Sequence, residues 1–271
     1  NNQQNSATET PKGYTFGALL QEILEVIYLP EDIIRASFAV ALSTQMGQFP
    51  PIWLMLVGVP SSAKTDLFSL LRKLNFVYFL DTMTLNPFAS GYKGNKGEKT
   101  YDLLPELNEK CFVVKDYTTI FSMNEETTKK LLGELVSIYD GEFAKFSSTR
   151  GLIAYKSSFS HLGAITPAAL NAHARYLSMV GARFMFSRIP ELTDAQRTRG
   201  FEIAWNKTSR KQLIEDLTDR VITFFNELLT ENPQLFEIND KEIKNSLEKL
   251  ALLMAKSRGI IILQNNSFQN D

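Results

Sequence analysis

Cysteine occurs once, at Cys111, inside an apolar run. A disulfide framework is therefore excluded, and a reducing compartment is expected. Histidine occurs twice, at His161 and His173, and the sequence clusters no carboxylates around either, which argues against a metal site built on them. No apolar run approaches the length of a membrane span and no signal peptide is evident, so a cytoplasmic protein with no membrane partner is expected. A dominant charge is lacking too. The net charge of −1 excludes a uniformly basic nucleic-acid coat, while a local basic channel remains compatible with it. No internal repeat or low-complexity array is visible.

What the chain has is length and a strong alternation of elements. Its 271 residues suffice for one large or two small domains with a real core. Residues 1–12 read as a flexible leader. Helical periodicity covers 16–28 and 31–46, the second opened by Pro30 and the acids Glu31 and Asp32. Pro50 and Pro51 break the chain before an apolar strand at 52–57. Further apolar runs at 76–80, 111–114, 162–165 and 183–186 read as strands. Residues 86–100, rich in Gly, Lys and Asn, read as a mobile loop. A helix is expected over 124–139, with Asn124 as cap and Leu131, Leu132, Leu135 and Ile138 inward. Two short strands are expected within 142–161, around Thr149-Arg150-Gly151, and helices over 210–230 and 240–257. Strands alternating with helices imply an α/β fold with a mainly parallel sheet covered on both faces.

The segment after the first strand carries the chemistry. Gly58-Val59-Pro60-Ser61-Ser62-Ala63-Lys64-Thr65 joins the apolar strand to a helix whose Leu67, Leu70 and Leu71 form one face. Strand, small-residue loop, Lys-Thr and helix together point to nucleoside triphosphate binding. Loop amides and the helix N-terminus converge on phosphates, Lys64 supplies a point charge, and the Thr65 hydroxyl suits Mg²⁺. The strict pattern has Gly where this chain has Ala63, a substitution that is unstrained if φ there is negative. The bland alternative is a strand–helix turn with a solvated lysine.

In an open parallel sheet, ligands bind beyond the carboxyl ends of the strands. Asp81, Asp116, Thr166 and the loop all follow strand ends. A triphosphatase needs an acid near Mg²⁺ and near its attacking water, and Cys111–Val114 followed by Lys115-Asp116-Tyr117 offers two registers. Asp116 is either the metal-side acid, with Tyr117 at the water-polarising position, or it holds that second position, with Lys115 replacing the first acid. One carboxylate of the usual pair is missing in both, and Asp81 is a candidate substitute. The alternative for Asp116 is a turn cap. Thr166 can meet the γ-phosphate or position water, or simply start a turn before Pro167. Arg183 and Arg188 flank the last strand. Either can neutralise charge on a transferred phosphoryl group, its own or a neighbour's, or sit in a surface ion pair.

In this order the residues resemble the AAA+ ATPases, and within them the minichromosome-maintenance-like helicases of mobile elements and phages. Ala144 through Pro167 looks like the hairpin before sensor 1 followed by the sensor strand, with Thr166 at its polar tip. Met179-Val180-Gly181-Ala182-Arg183-Phe184 is similar to the arginine-finger segment, with Ala182 in place of Ser. Ala255-Lys256-Ser257-Arg258-Gly259 looks like a sensor 2 segment, with Arg258 as its cation. The resemblance implies a P-loop αβα sandwich over 13–205 with a hairpin at 142–161, and a helical lid over 206–271, where Ile260–Leu263 begins a further element. It also implies a ring, a hexamer, with ATP and Mg²⁺ between subunits: Gly58, Pro60, Ser61, Ser62, Ala63, Lys64, Thr65, Arg188 and Arg258 around the nucleotide, Thr65 and Asp116 on the metal, and Asp116, Thr166 and Arg183 in catalysis. Lys145, Arg150 and Lys156 would line a channel for single-stranded DNA, with Lys93, Lys96 and Lys99 as a second contact. The expected activity is that of an ATP-driven DNA helicase. The competing expectations are a nucleotide-switched assembly scaffold and, more distantly, a small-molecule kinase on the same loop.

Overall fold

The structure, a computed structural model, describes residues 14–46, 50–83, 87–90, 101–172, 183–205, 210–231, 241–246 and 248–249. The expected leader, the loop with Lys93, Lys96 and Lys99, His173, Ala182, the Arg258 segment and 260–263 lie outside the described residues.

The apolar runs become strands β1 (Trp53–Val57), β2 (Val77–Leu80) and β3 (Cys111–Val114). The hairpin is β4 (Glu142–Ser147) and β5 (Gly151–Lys156), and β6 (Ser160–Ile165) and β7 (Phe184–Arg188) complete the set. Five of them form one sheet in the order β2-β3-β6-β1-β7, and each pairing in it is parallel. The inner strands β1, β3 and β6 are buried along their whole length, as parallel strands covered on both faces must be. β6 starts two residues before its apolar run, because Ser160 and His161 are buried with hydrogen-bond partners. Ser160 Oγ donates to Val40 O at 2.8 Å.

Helices fill the connections: α1 (Phe16–Val26), α2 (Glu31–Ser43), α3 (Lys64–Leu71), α4 (Leu103–Leu107), α5 (Thr118–Phe121), α6 (Glu125–Tyr139), α7 (Pro167–Ala172), α8 (Asp194–Trp205) and α9 (Arg210–Glu231). Local chemistry sets their starts. Thr15 Oγ1 accepts from the Ala18 amide at 3.2 Å, and Asn124 Oδ1 from the Thr127 amide at 2.8 Å. Pro30 precedes two acids in the first turn of α2.

Alternate strand residues serve opposite faces. On one face Trp53, Met55, Phe112 and Val114 pack in a single cluster with Leu131, Leu132, Leu135 and Ile138 of α6. On the other, α2 lies against β1, β3 and β6. There the ring of Phe225 of α9 lies tilted 5.6 Å from Phe38 and edge-on 5.8 Å from Phe76. The result is a mixed α/β fold with a parallel sheet between helices. By contact density Asn1–Asn226 is one compact unit and Glu227–Asp271 a second, the latter containing helical residues 241–246. Among the described residues no helix is long and apolar enough to cross a membrane.

Candidate functional site

Parallel pairing brings the carboxyl ends of five strands to one edge. Val57 lies beside Ile165 on one side and Arg188 on the other, while Val114 lies beside Gly163. The chain leaves β1 at Gly58, whose amide donates to Ile165 O at 3.1 Å. A side chain at this position would force its neighbours to shift: a Cβ would stand 2.7 Å from Ser62 Oγ and 3.0 Å from Ile189 Cδ1.

The loop then reverses into α3 through two left-handed residues, Ser61 at φ 62° and Ala63 at φ 58°. The sequence reading needed a negative φ at Ala63, so that expectation is corrected. The tight reversal imposes the glycine conformation on an alanine, at a cost of about 1–2 kcal/mol. Lys64, the first residue of α3, folds back into the loop. Its Nζ donates to Gly58 O at 2.7 Å, Val59 O at 2.8 Å and Ser62 Oγ at 2.9 Å. Burial pushes this ammonium below its usual pKa, and the charge of Asp116 pulls it partly back. Thr65 follows, exposed at the helix start.

Asp116 therefore shares an electrostatic neighbourhood with Lys64, with β6 interposed between their strands. It also caps its own turn, Oδ1 accepting from the Thr118 amide at 2.8 Å. Lys115 points elsewhere, into an exposed ion pair with Asp81 at 2.8 Å that holds the Asp81 carboxyl below the usual range. Tyr117 turns inward. It is 1% exposed, and its hydroxyl lies 2.5 Å from His161 Nε2, whose Nδ1 faces Phe112 O at 2.7 Å. A carbonyl can only accept, so Nδ1 carries the proton and the Tyr117 hydroxyl donates to Nε2. Tyr117 therefore offers no group to a water in either register, because its ring belongs to the core, and Asp116 is the one acid of this turn.

Thr166, at the end of β6, accepts the Ala169 amide at 3.3 Å and caps α7. Arg188 ends β7 on the same edge as the loop and is exposed. Arg183 precedes β7, so it stands a strand length away, about 16 Å for five residues. There it lies 3.7 Å from Asp140 and over the Tyr139 ring. The structure thus gathers Gly58–Thr65, Asp116, Thr166 and Arg188 at one edge and separates Arg183 from its own chain's loop.

Beside the loop lies a cavity of about 660 Å³ that sequence reasoning missed. Tyr28, Ser61–Ala63, Ile189, Leu192, Arg197 and Arg210 are among its lining. Arg210 is ion-paired with Asp66 in the first turn of α3. These residues come from four separated segments, and only the loop carries a local signal.

The hairpin differs from expectation in its charges. Lys145 Nζ is 3.0 Å from Glu134 Oε1 and donates to Ala89 O at 3.1 Å. Arg150 pairs with Asp102 at 2.7 Å and donates to Ser90 O at 2.6 Å. Burial opposes the Asp102 charge, yet hydrogen bonds from Tyr155, the Ser90 amide and Arg150 hold its carboxyl below the usual range. Lys156 alone of the three points to solvent, in an exposed pair with Glu142 at 3.0 Å. What the tip presents outward is Phe146, 78% exposed, directly opposite Leu152, 72% exposed. Phe146 and Leu152 carry no charge and were not singled out in the sequence, although strict alternation in 142–147 and 151–156 places them on the outer face.

No protein-family model matches the chain, and no curated protein matches its sequence.

Proposed function

We propose that the chain is a P-loop ATPase of the AAA+ kind that works as a homo-oligomeric ring, a hexamer, and moves along single-stranded DNA at the expense of ATP. The observation that carries this reading is the loop between β1 and α3. It encloses a lysine, is crowded by Ser62 and Ile189 around Gly58, and lies within the field of a carboxylate from the end of β3. A strand-to-helix loop of this kind offers amides and the positive end of a helix to phosphates. The donor set also fits Mg²⁺, which Thr65 and Asp116 would hold with phosphate oxygens. When bound, the ion neutralises charge on the β- and γ-phosphates. The remaining work falls to the chain. Lys64 would leave its loop acceptors for the phosphates, Thr166, on the strand between β1 and β3, would orient the attacking water, and Asp116, the one acid there, would accept a hydrogen bond from that water through the carboxylate oxygen the ion leaves free. The cavity beside the loop has the size of a nucleoside site, with apolar walls from Ile189 and Leu192 and the Tyr28 ring. Arg183, remote from its own loop, is the residue that would complete a neighbour's site. In the motor, Phe146 and Leu152 would meet bases and Lys156 a phosphate, because Lys145 and Arg150 are committed to internal pairs.

A second reading is a nucleotide-switched assembly scaffold. It is favoured by the single carboxylate at the β3 end and by the small free charge of the hairpin. The ATPase rate with and without single-stranded DNA, read beside oligomer mass with a non-hydrolysable analogue, separates the two. DNA-stimulated turnover that falls in Phe146→Ala and Lys156→Ala supports the motor. Ring formation without stimulation supports the scaffold. Absence of Mg·ATP binding in folded protein removes both, and Lys64→Ala should abolish either.

A further inference from the structure

We propose that Ser62 is the latch of a self-closed loop: its hydroxyl and two loop carbonyls hold the Lys64 ammonium turned inward, and an anion entering the loop has to release it. The proposal rests on the reading of Gly58–Thr65 as a phosphate loop and adds a regulation to that same site.

An ammonium has three N–H donors, and Lys64 spends them on Gly58 O, Val59 O and Ser62 Oγ at 2.7, 2.8 and 2.9 Å. All are charge-assisted bonds, the stronger kind. Two of the acceptors are backbone and are present in any sequence. The third is a side chain, and the loop is shaped around it. Ser62 is buried between two residues of left-handed φ, Ser61, which is exposed, and Ala63, which is half-buried. Its amide donates to Val59 O at 3.3 Å, closing the turn. Its hydroxyl stands where a Cβ on Gly58 would come within 2.7 Å, so Gly58 and Ser62 form one device: the first is bare so that the second can point inward. An anion entering the loop must compete with all three acceptors for Lys64.

The test compares wild type with Ser62→Ala, which deletes one acceptor and leaves the backbone ones. Lys64 acylation by acetic anhydride in ligand-free protein, measured by mass spectrometry against exposed Lys156 in the same molecule, reports how tightly the amine is held. ATP affinity by calorimetry reports the competition. The expected result is several-fold faster Lys64 labelling in Ser62→Ala and ATP binding tighter by about tenfold, the worth of one hydrogen bond to a charged group. Unchanged labelling overturns the latch. Weaker ATP binding in the variant overturns it as well and makes the hydroxyl a phosphate ligand. If wild type binds ATP and the variant gains nothing, only the latch falls. If folded wild type binds no ATP, the phosphate-loop reading falls and the latch with it.

Discussion

Replacing Ala63 by glycine tests the loop geometry without reference to any ligand. Ala63 sits at φ 58°, ψ 13°, immediately before the first residue of α3. In that conformation an L-residue crowds its Cβ against the following carbonyl, at about 1–2 kcal/mol. Glycine removes the crowding but brings about 0.4–1 kcal/mol of extra unfolded-chain entropy. The position caps a helix and is not in its interior, so no helix-propensity penalty of the usual size applies, and glycine is the better cap. The net expectation is a gain of about 0.5–1 kcal/mol. For a unit of this size that raises the melting temperature by about 1–4 °C. Urea unfolding followed by far-UV circular dichroism measures it directly, with an unchanged m-value as the check that only stability moved. Gly58→Ala is the matched opposite, since its Cβ would meet Ser62 Oγ and Ile189 and must destabilise. An Ala63→Gly protein less stable than wild type would refute the strain argument and mean that φ at this residue is negative in solution.

Three further outcomes follow from buried groups. His161 is held neutral by burial, its pKa pushed down from 6.5 to about 4, so the unfolded chain binds its proton first as pH falls. Stability from this residue is complete above pH 6.5 and is lost progressively toward pH 4, by about 3 kcal/mol, and chemical denaturation at pH 7 and pH 4.5 in wild type and His161→Gln should show the difference shrink. Asp102→Asn breaks the pair with Arg150, both largely buried, and should cost about 3 kcal/mol while raising hydrogen exchange selectively in β4 and β5. Gly163→Ala places a Cβ 2.8 Å from the Tyr117 ring and 2.9 Å from Met55, and an overpacking loss of about 1–3 kcal/mol is expected in thermal unfolding.

Much of the frame was legible because apolar runs that end on a polar residue have few other uses. The runs at 52–57, 76–80, 111–114, 162–165 and 183–186 all mark strands of the sheet, and Asn124 with the 3.6-residue spacing of Leu131, Leu135 and Ile138 fixed α6. The short helices α4, α5 and α7 went unread because four to six residues show no period. The start of β6 went unread because Ser160 and His161 look polar until Val40 O, Phe112 O and Tyr117 are found to satisfy them. Charges on the hairpin were misjudged for a related reason. Arg150 meets Asp102, 48 residues earlier, and Lys145 meets Glu134 on a helix, and neither partner is visible to a local pattern.

The missing second carboxylate is a packing matter as much as a chemical one. The residue after Asp116 cannot face the loop, because its side chain is the lid of a buried polar chain running Tyr117 to His161 to Phe112 O. That chain fills the space left by Gly163, where the Tyr117 ring would collide with any Cβ. Tyr117 also donates its amide to Ala164 O at 2.7 Å, which ties the end of β3 to β6. The aromatic thus fixes the backbone from which Asp116 projects, and Asp116 in turn caps the turn that begins α5. A carboxylate at 117 would sit uncompensated among Phe112, Phe121 and Phe184, where its charge could not be solvated. This strand end therefore carries one acid, on a backbone tied to β6 by the Tyr117 amide and on a turn that Asp116 itself caps. In the ATPase reading, that arrangement sets positional precision at Asp116 against a second group for activating water.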